Sequence, residues 1–189
     1  MSARDARGLP LSTDVEEAAA RYRAGVDQLL SLWQDTGDLL DAAIAADPGF
    51  ALAHAARARF AAIRADLPTA RRCIAAAEAA VAARGSERER SHVAILAMLI
   101  AGQSGQALPA AQVHVERWPR DVLILSTLLG PFGLFAFSGM RDHDQAKVDL
   151  CERHAGAFDV DDWWFLTYRG WSQAEVGDTV RGRDYTELG

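Results

Sequence analysis

The sequence has little cysteine, a single lysine and no long apolar run, and these shortages exclude several classes of protein. Cys73 and Cys151 lie 78 positions apart, which does not suggest a disulfide framework. The longest apolar stretch, 122–137, is interrupted by glycine, proline and hydroxyl residues, so no membrane span is predicted. The N-terminus lacks the apolar core of a secretory signal. We therefore expect a cytoplasmic protein with reduced thiols and no membrane association.

The charge balance argues against nucleic acid as a partner. The formal net charge is −6, and a field of this sign repels phosphate backbones. Arg57, Arg64 and Arg71 recur every seven residues, which is the spacing of a basic stripe for a carboxylate or phosphate. Pro68 interrupts this series, and a solvated face with acidic neighbours is the alternative interpretation.

Recognised catalytic and cofactor motifs are missing from the sequence. It contains no G-x-S-x-G, P-loop, G-x-G-x-x-G or H-E-x-x-H pattern. Cys151 and His154 share a helical face but form at most half of a metal site, and the run 142–144 has the composition of a turn. We therefore predict no cofactor, no metal and no catalytic residues.

The apolar spacing along most of the chain is helical. Apolar residues recur at intervals of three and four, and no alternating run stands beside hairpin turn chemistry. An all-α fold is predicted, with an extended lead-in over 1–12 and a single helical repeat domain over 13–189.

Local signals predict the ends of individual helices. Thr13, with Glu16 three residues later, has the spacing of a capping box. Asp161 or Asp162 is expected to cap the last long helix. The very apolar segment 121–138 is expected to form one helix or a broken helix pair.

A period of 34 residues underlies the helical pattern. Helix-turn-helix repeats of this length need small residues where their two helices touch, and a proline after the second helix. Units beginning at Ala51 and Trp163 have such residues, and a less regular unit begins at Arg88 and closes at Pro119. The small residues are Ala58, Ala70, Ala77, Gly170 and Gly182. We predict an α-solenoid of about four antiparallel helix pairs, with a tetratricopeptide-like right-handed superhelix; an irregular helical bundle is the alternative.

Five segments also resemble bacterial relatives of the tetratricopeptide repeat protein thirty-eight family. They are DARGLPLST, DPGFALAHAARARFAAI, SERERSHVAILAMLIAGQ, WPRDVLILSTLLGPFGLFAFSGM and DDWWFLTYRGWSQAEVGD. The resemblance implies an α-solenoid with a protein-binding or ligand-binding role, and it supplies no catalytic residues. Because members of that family are longer, the last repeat is expected to be incomplete.

The second, fifth and ninth places of each unit's first helix are expected to line an inner groove. These places hold Leu52, Ala55 and Arg59 in the unit at Ala51, Glu89, His92 and Leu96 in the unit at Arg88, and Trp164, Thr167 and Trp171 in the unit at Trp163. The predicted groove residues are Arg59, Glu89, His92, Trp164, Thr167 and Trp171. Core packing is the alternative interpretation for the aromatic residues.

The predicted function is a non-catalytic scaffold that binds a peptide, a protein segment or an apolar ligand in this groove. One alternative is an enzyme or accessory enzyme with a pocket in the same groove, using His92 with Glu89 or a His–Cys pair. Another is a module that forms homo-oligomers through its uncapped last repeat.

Overall fold

The computed structural model describes residues 3–31, 33 and 35–188. Within these residues the chain forms ten α-helices, one short 3-10 helix and no strand, so the predicted all-α fold is confirmed. The helices are α1 Glu16–Leu30, α2 Thr36–Ala46, α3 Ala51–Ile63, α4 Leu67–Arg84, α5 Glu87–Ile100, α6 Ser104–Arg117, α7 Val122–Leu128, α8 His143–His154, α9 Trp163–Glu175 and α10 Thr179–Thr186, and the 3-10 helix is Ala155–Ala157.

The helices form two compact units. Unit 1 comprises residues 1–103 and contains α1 to α5, whereas unit 2 comprises 104–189 and contains α6 to α10.

In unit 1, α3 lies at the centre and contacts all four other helices. Its buried residues are six alanines and Leu52, and small side chains of this kind let helix axes approach closely. Three alanines predicted from the repeat period, one in α3 and two in α4, are each 0% exposed, which fits the close packing of these two helices. They are Ala58, Ala70 and Ala77.

The beginning of the chain differs from the prediction in two ways. The lead-in is not extended, because Arg4 and Pro10 form an isolated antiparallel bridge around Gly8, which has a φ of 81°. Arg88 of α5 donates a 2.7 Å hydrogen bond to the Pro10 carbonyl. Thr13 does not cap α1, which begins at Glu16 without a side-chain cap.

The Thr13 hydroxyl instead donates a 2.6 Å hydrogen bond to the buried carboxylate of Asp47. Asp47 also accepts hydrogen bonds from Arg84 at 2.5 Å and from the Gly49 amide at 3.0 Å. Burial opposes ionisation of Asp47, but the bonds from Thr13, Arg84 and Gly49 outweigh it and lower the pKa of this carboxyl. This network ties the start of α1 to the ends of α2 and α4. The Thr13 hydroxyl also accepts a 3.2 Å hydrogen bond from the amide of Val15, which precedes the first turn of α1.

In unit 2 the apolar segment 121–138 is helical only over α7. Gly130 has a φ of 83°, a value that favours glycine. A Cβ on Gly133 would lie 2.3 Å from the Leu129 carbonyl oxygen. The chain therefore leaves the helix here and makes a series of turns before α8.

The last three helices of unit 2 are joined by ion pairs and by a close helix crossing. Glu152 of α8 accepts two hydrogen bonds from Arg169 of α9, at 2.9 and 2.5 Å. The Arg169 guanidinium also lies 4.1 Å from the ring centroid of Tyr185 in α10.

As the repeat period predicted, Gly170 and Gly182 meet where α9 crosses α10, since a Cβ on Gly170 would lie 2.6 Å from the Gly182 carbonyl oxygen. Asp162 caps α9 by accepting a 3.0 Å bond from the Phe165 amide, as predicted.

Candidate binding clefts

The nine residues expected to line a groove differ in burial according to their place in the repeat. The second places, Leu52, Glu89 and Trp164, are 0, 0 and 1% exposed. The structure therefore does not place Glu89 and Trp164 on an open groove.

Glu89 and Trp164 instead make contacts within the protein. Glu89 accepts hydrogen bonds from the Ser86 amide at 2.8 Å and from the Ser12 amide at 2.9 Å. It thereby completes a capping box at the start of α5 and holds the lead-in segment. The Trp164 ring packs against Tyr168, with ring centroids 4.8 Å apart, which agrees with the alternative of core packing.

The fifth places are mixed. Ala55 and His92 are fully buried, so His92 is not a groove residue either. Thr167 is exposed, and its hydroxyl donates a 2.8 Å hydrogen bond to the Trp163 carbonyl.

The ninth places, by contrast, all line clefts. Arg59 of α3 and Leu96 of α5 line one cleft of about 230 Å³ in unit 1. Its other walls are aliphatic, and Ile63 on its rim is 48% exposed. The ninth places of these two units, 37 positions apart, thus line one cleft, although Leu96 itself is 1% exposed.

Trp171, the ninth place of the last unit, lines a cleft between α9 and α10 in unit 2. This cleft has a volume of about 500 Å³ and also includes Thr167. Gly170 and Gly182 lie among its lining residues, and Trp171 is 45% exposed beside them.

The charges at the α9–α10 cleft belong to Glu175 and Arg183. The Glu175 carboxylate is bound by the ammonium of Lys147, which is buried in α8 and also pairs with Asp144 at 2.8 Å. Arg183 lies 3.8 Å from Glu187. The cleft thus offers an apolar surface with charges that are mainly balanced.

A third cleft, between α4 and α5, was not predicted. It has a volume of about 510 Å³ and is lined mainly by two helical stripes, together with Ile100 and Gln103. Arg71 lies on its rim, whereas Arg57 pairs with Asp41 at 2.9 Å. The seven-residue arginine series therefore serves different contacts and is not one continuous anion site.

The sulfur and imidazole groups named from sequence lie in packed surroundings. Burial raises the pKa of the Cys151 thiol to about 12, although Ser172 opposes this as a hydrogen-bond partner. Burial also lowers the pKa of His154, and the Glu116 carboxylate 3.7 Å away opposes that shift. The structure thus places both groups in the core of unit 2.

One buried histidine–aspartate pair was not predicted from the sequence. His114 and Asp121 are both buried, and their Nε2 and Oδ2 atoms lie 3.3 Å apart. The His114 ring centroid lies 4.9 Å from that of Trp118. The carboxylate orients the imidazole across the turn that follows α6, and the seven-residue separation of the pair is the signal that could have revealed it.

Comparison of the chain with protein-family models, curated proteins and solved structures gave no match in any of the three. The resemblance to the tetratricopeptide repeat protein thirty-eight family therefore stays a prediction. In the part of the chain that the structure describes, every helix is too short or too polar to cross a bilayer.

Proposed function

We propose that this protein is a helical-repeat binding module that holds an apolar peptide segment in clefts along the first helices of its repeats. The observation that carries the proposal is the shared behaviour of Arg59, Leu96 and Trp171. The ninth place of three separate units lines a cleft, while the second place of each is buried. These ninth places differ in exposure, since Leu96 is 1% and Trp171 is 45% exposed, and what they share is that each lines a cleft. A shared location of this kind is what a repeated structural unit would produce.

The packing within unit 1 supports a stacked arrangement. Successive first helices α1, α3 and α5 contact one another in that order, and α2 and α4 each pack on the helices that precede and follow them. Contacts of this kind, between each pair and its neighbours, are typical of α-solenoids.

The chemistry of the clefts favours an apolar peptide. The α3–α5 cleft presents the aliphatic side chains of Ile63, Leu99 and Ile100, and the α9–α10 cleft presents the Trp171 indole. Recognition by apolar anchors in preformed clefts needs little ordering of the protein on binding.

The test is selection of a displayed peptide library on the full chain, followed by titration of the enriched peptides. We expect Ile63→Ser to weaken binding about ten-fold, since burial of an isoleucine side chain contributes about 1.5–3 kcal/mol when complete. Ile63 is already half exposed, so the substitution should leave the melting temperature nearly unchanged.

Leu67→Ser is the matched control, because Leu67 is 45% exposed and lies at the start of α4. Equal affinities for the two variants would refute the α3–α5 cleft as the binding site. A library that yields only peptides insensitive to both Ile63→Ser and Trp171→Ala would refute the proposed function.

A further inference from the structure

On both sides of the α4–α5 cleft, the lining residues recur at helical spacing. Each wall is a stripe of residues at i, i+3, i+4 and i+7, the spacing of one helix face. The α4 stripe consists of Arg71, Ile74, Ala75 and Glu78, and the α5 stripe consists of Ala94, Ala97, Met98 and Ala101.

Small side chains make up half of the two stripes. Four of the eight stripe residues are alanine, and Ala75, Ala94 and Ala101 are exposed. A groove between two packed helices whose walls are alanine accepts the ridge of a third helix, because the axes can approach closely. An amphipathic helix binds such a groove through anchors at the same i, i+3, i+4 and i+7 spacing.

The charges on the α4 wall specify the occupant further. Arg71 and Glu78 lie on the same face of α4, two turns or about 10.5 Å apart along its axis. Both are exposed, and neither has an ion-pair partner within residues 3–31, 33 and 35–188. An occupant with an acidic side chain facing Arg71 and a basic one facing Glu78 complements both charges.

We infer that the α4–α5 cleft is a docking site for an amphipathic helix of a partner protein, whose apolar stripe is flanked by one acidic and one basic side chain seven residues apart. The site is formed by α4, α5 and the residues that directly follow α5, and it shares Ile100 with the α3–α5 cleft of the proposed function. The substitutions that test one cleft do not lie in the lining of the other, so the two proposals can fail independently.

The inference can be tested with three designed helical peptides that share one leucine stripe. They carry Glu and Lys, two Glu, or two Lys at the flanking positions seven residues apart, and each is titrated against the full chain. We expect the Glu–Lys peptide to bind best, with each mismatched charge weakening affinity about two- to five-fold, as for partly exposed ion pairs.

Charge reversal on the protein should change the order of preference. Arg71→Glu gives a cleft with two acidic ends and should prefer the peptide with two lysines. Glu78→Arg gives two basic ends and should prefer the peptide with two glutamates. Arg72→Glu is the matched control, because Arg72 is exposed on the same helix but does not line the cleft.

A steric variant tests the location of the peptide without using charge. Ala94→Trp should fill the cleft and abolish binding of all three peptides, whereas Ala79→Trp, at an exposed position of α4 outside the cleft, should not. Thermal melting of both variants confirms that the fold is retained.

Three results would overturn the inference. They are failure of all three peptides to bind, an order of preference that Arg71→Glu and Arg72→Glu alter equally, and binding that survives Ala94→Trp. Formation of a dimer that Ala94→Trp dissolves would instead assign the cleft to a second copy of this chain.

Discussion

Replacement of Gly170 by alanine should destabilise unit 2, although the same change usually stabilises a helix. Gly170 lies in the middle of α9, where α10 crosses it. A Cβ at this position would lie 2.6 Å from the Gly182 carbonyl oxygen and 2.7 Å from the Thr186 methyl carbon. Because one of these atoms belongs to the backbone, the two helices would have to move apart.

Two opposing terms set the expected size of the effect. Overpacking of a well-packed contact costs about 1–3 kcal/mol, whereas alanine is favoured over glycine in a helix by about 0.8–1.0 kcal/mol. The overpacking term is equal to or larger than the helix-propensity term, so we expect a net loss of up to about 2 kcal/mol. The separation of α9 from α10 should also deform the cleft that contains Trp171.

Urea unfolding followed by tryptophan fluorescence measures this loss. Trp33 is the only tryptophan before residue 104, so the fluorescence signal reports mainly on unit 2. The matched control is Gly105→Ala, because Gly105 lies in the first turn of α6 and a Cβ there would meet nothing within 4 Å. This variant should be unchanged or more stable by up to about 1 kcal/mol.

Opposite signs for the two substitutions are the expected result. If Gly170→Ala were as stable as Gly105→Ala, the close crossing of α9 and α10 would be refuted. The description of the α9–α10 cleft, which Gly170 and Gly182 line, would then be wrong as well.

Three further predictions concern acid stability, thiol reactivity and binding. Because the pKa of Asp47 is lowered on folding, this group stabilises the protein above its ordinary pKa of 3.8, and that contribution is lost as the pH falls below it. Asp47→Asn should therefore be less stable than the wild type at neutral pH, with the difference shrinking in acid unfolding curves. With an aromatic disulfide reagent, half-buried Cys73 should react in the native state, and Cys151, whose pKa is raised to about 12, only after unfolding. Trp171→Ala should weaken peptide binding more than it lowers the melting temperature, because Trp171 is 45% exposed.

One result would contradict each of these three predictions. A stability difference for Asp47→Asn that stays constant with pH would show that its carboxylate has the same pKa in the folded and unfolded chains. Rapid labelling of native Cys73→Ser protein would show that Cys151 is accessible. Unchanged affinity of folded Trp171→Ala would remove the indole from the binding surface.

Local sequence signals predicted the helices well where the deciding interactions were local. The start of α9 after Asp162 follows from capping. The segment 121–138 was harder, because its apolar residues suit a helix while Gly130 and Gly133 require turns. Only the packed chain shows that the turns prevail.

The residues of the predicted groove differ in burial for one physical reason. Repeat spacing places a residue on a helix face, but burial of that face depends on what packs against it. Arg59 and Trp171 line clefts, whereas Glu89 is enclosed by Ser86 and by the folded lead-in, a segment distant in sequence.

The sequence by itself determined the helical class, the start of α9 and the close approach at Gly170 and Gly182, since these depend on propensity, capping and side-chain size. The tertiary structure alone decided that Thr13 binds Asp47 and that two stripes of α4 and α5 face one another across a cleft. Those features arise from contacts between residues far apart in the chain, whose geometry no local pattern encodes.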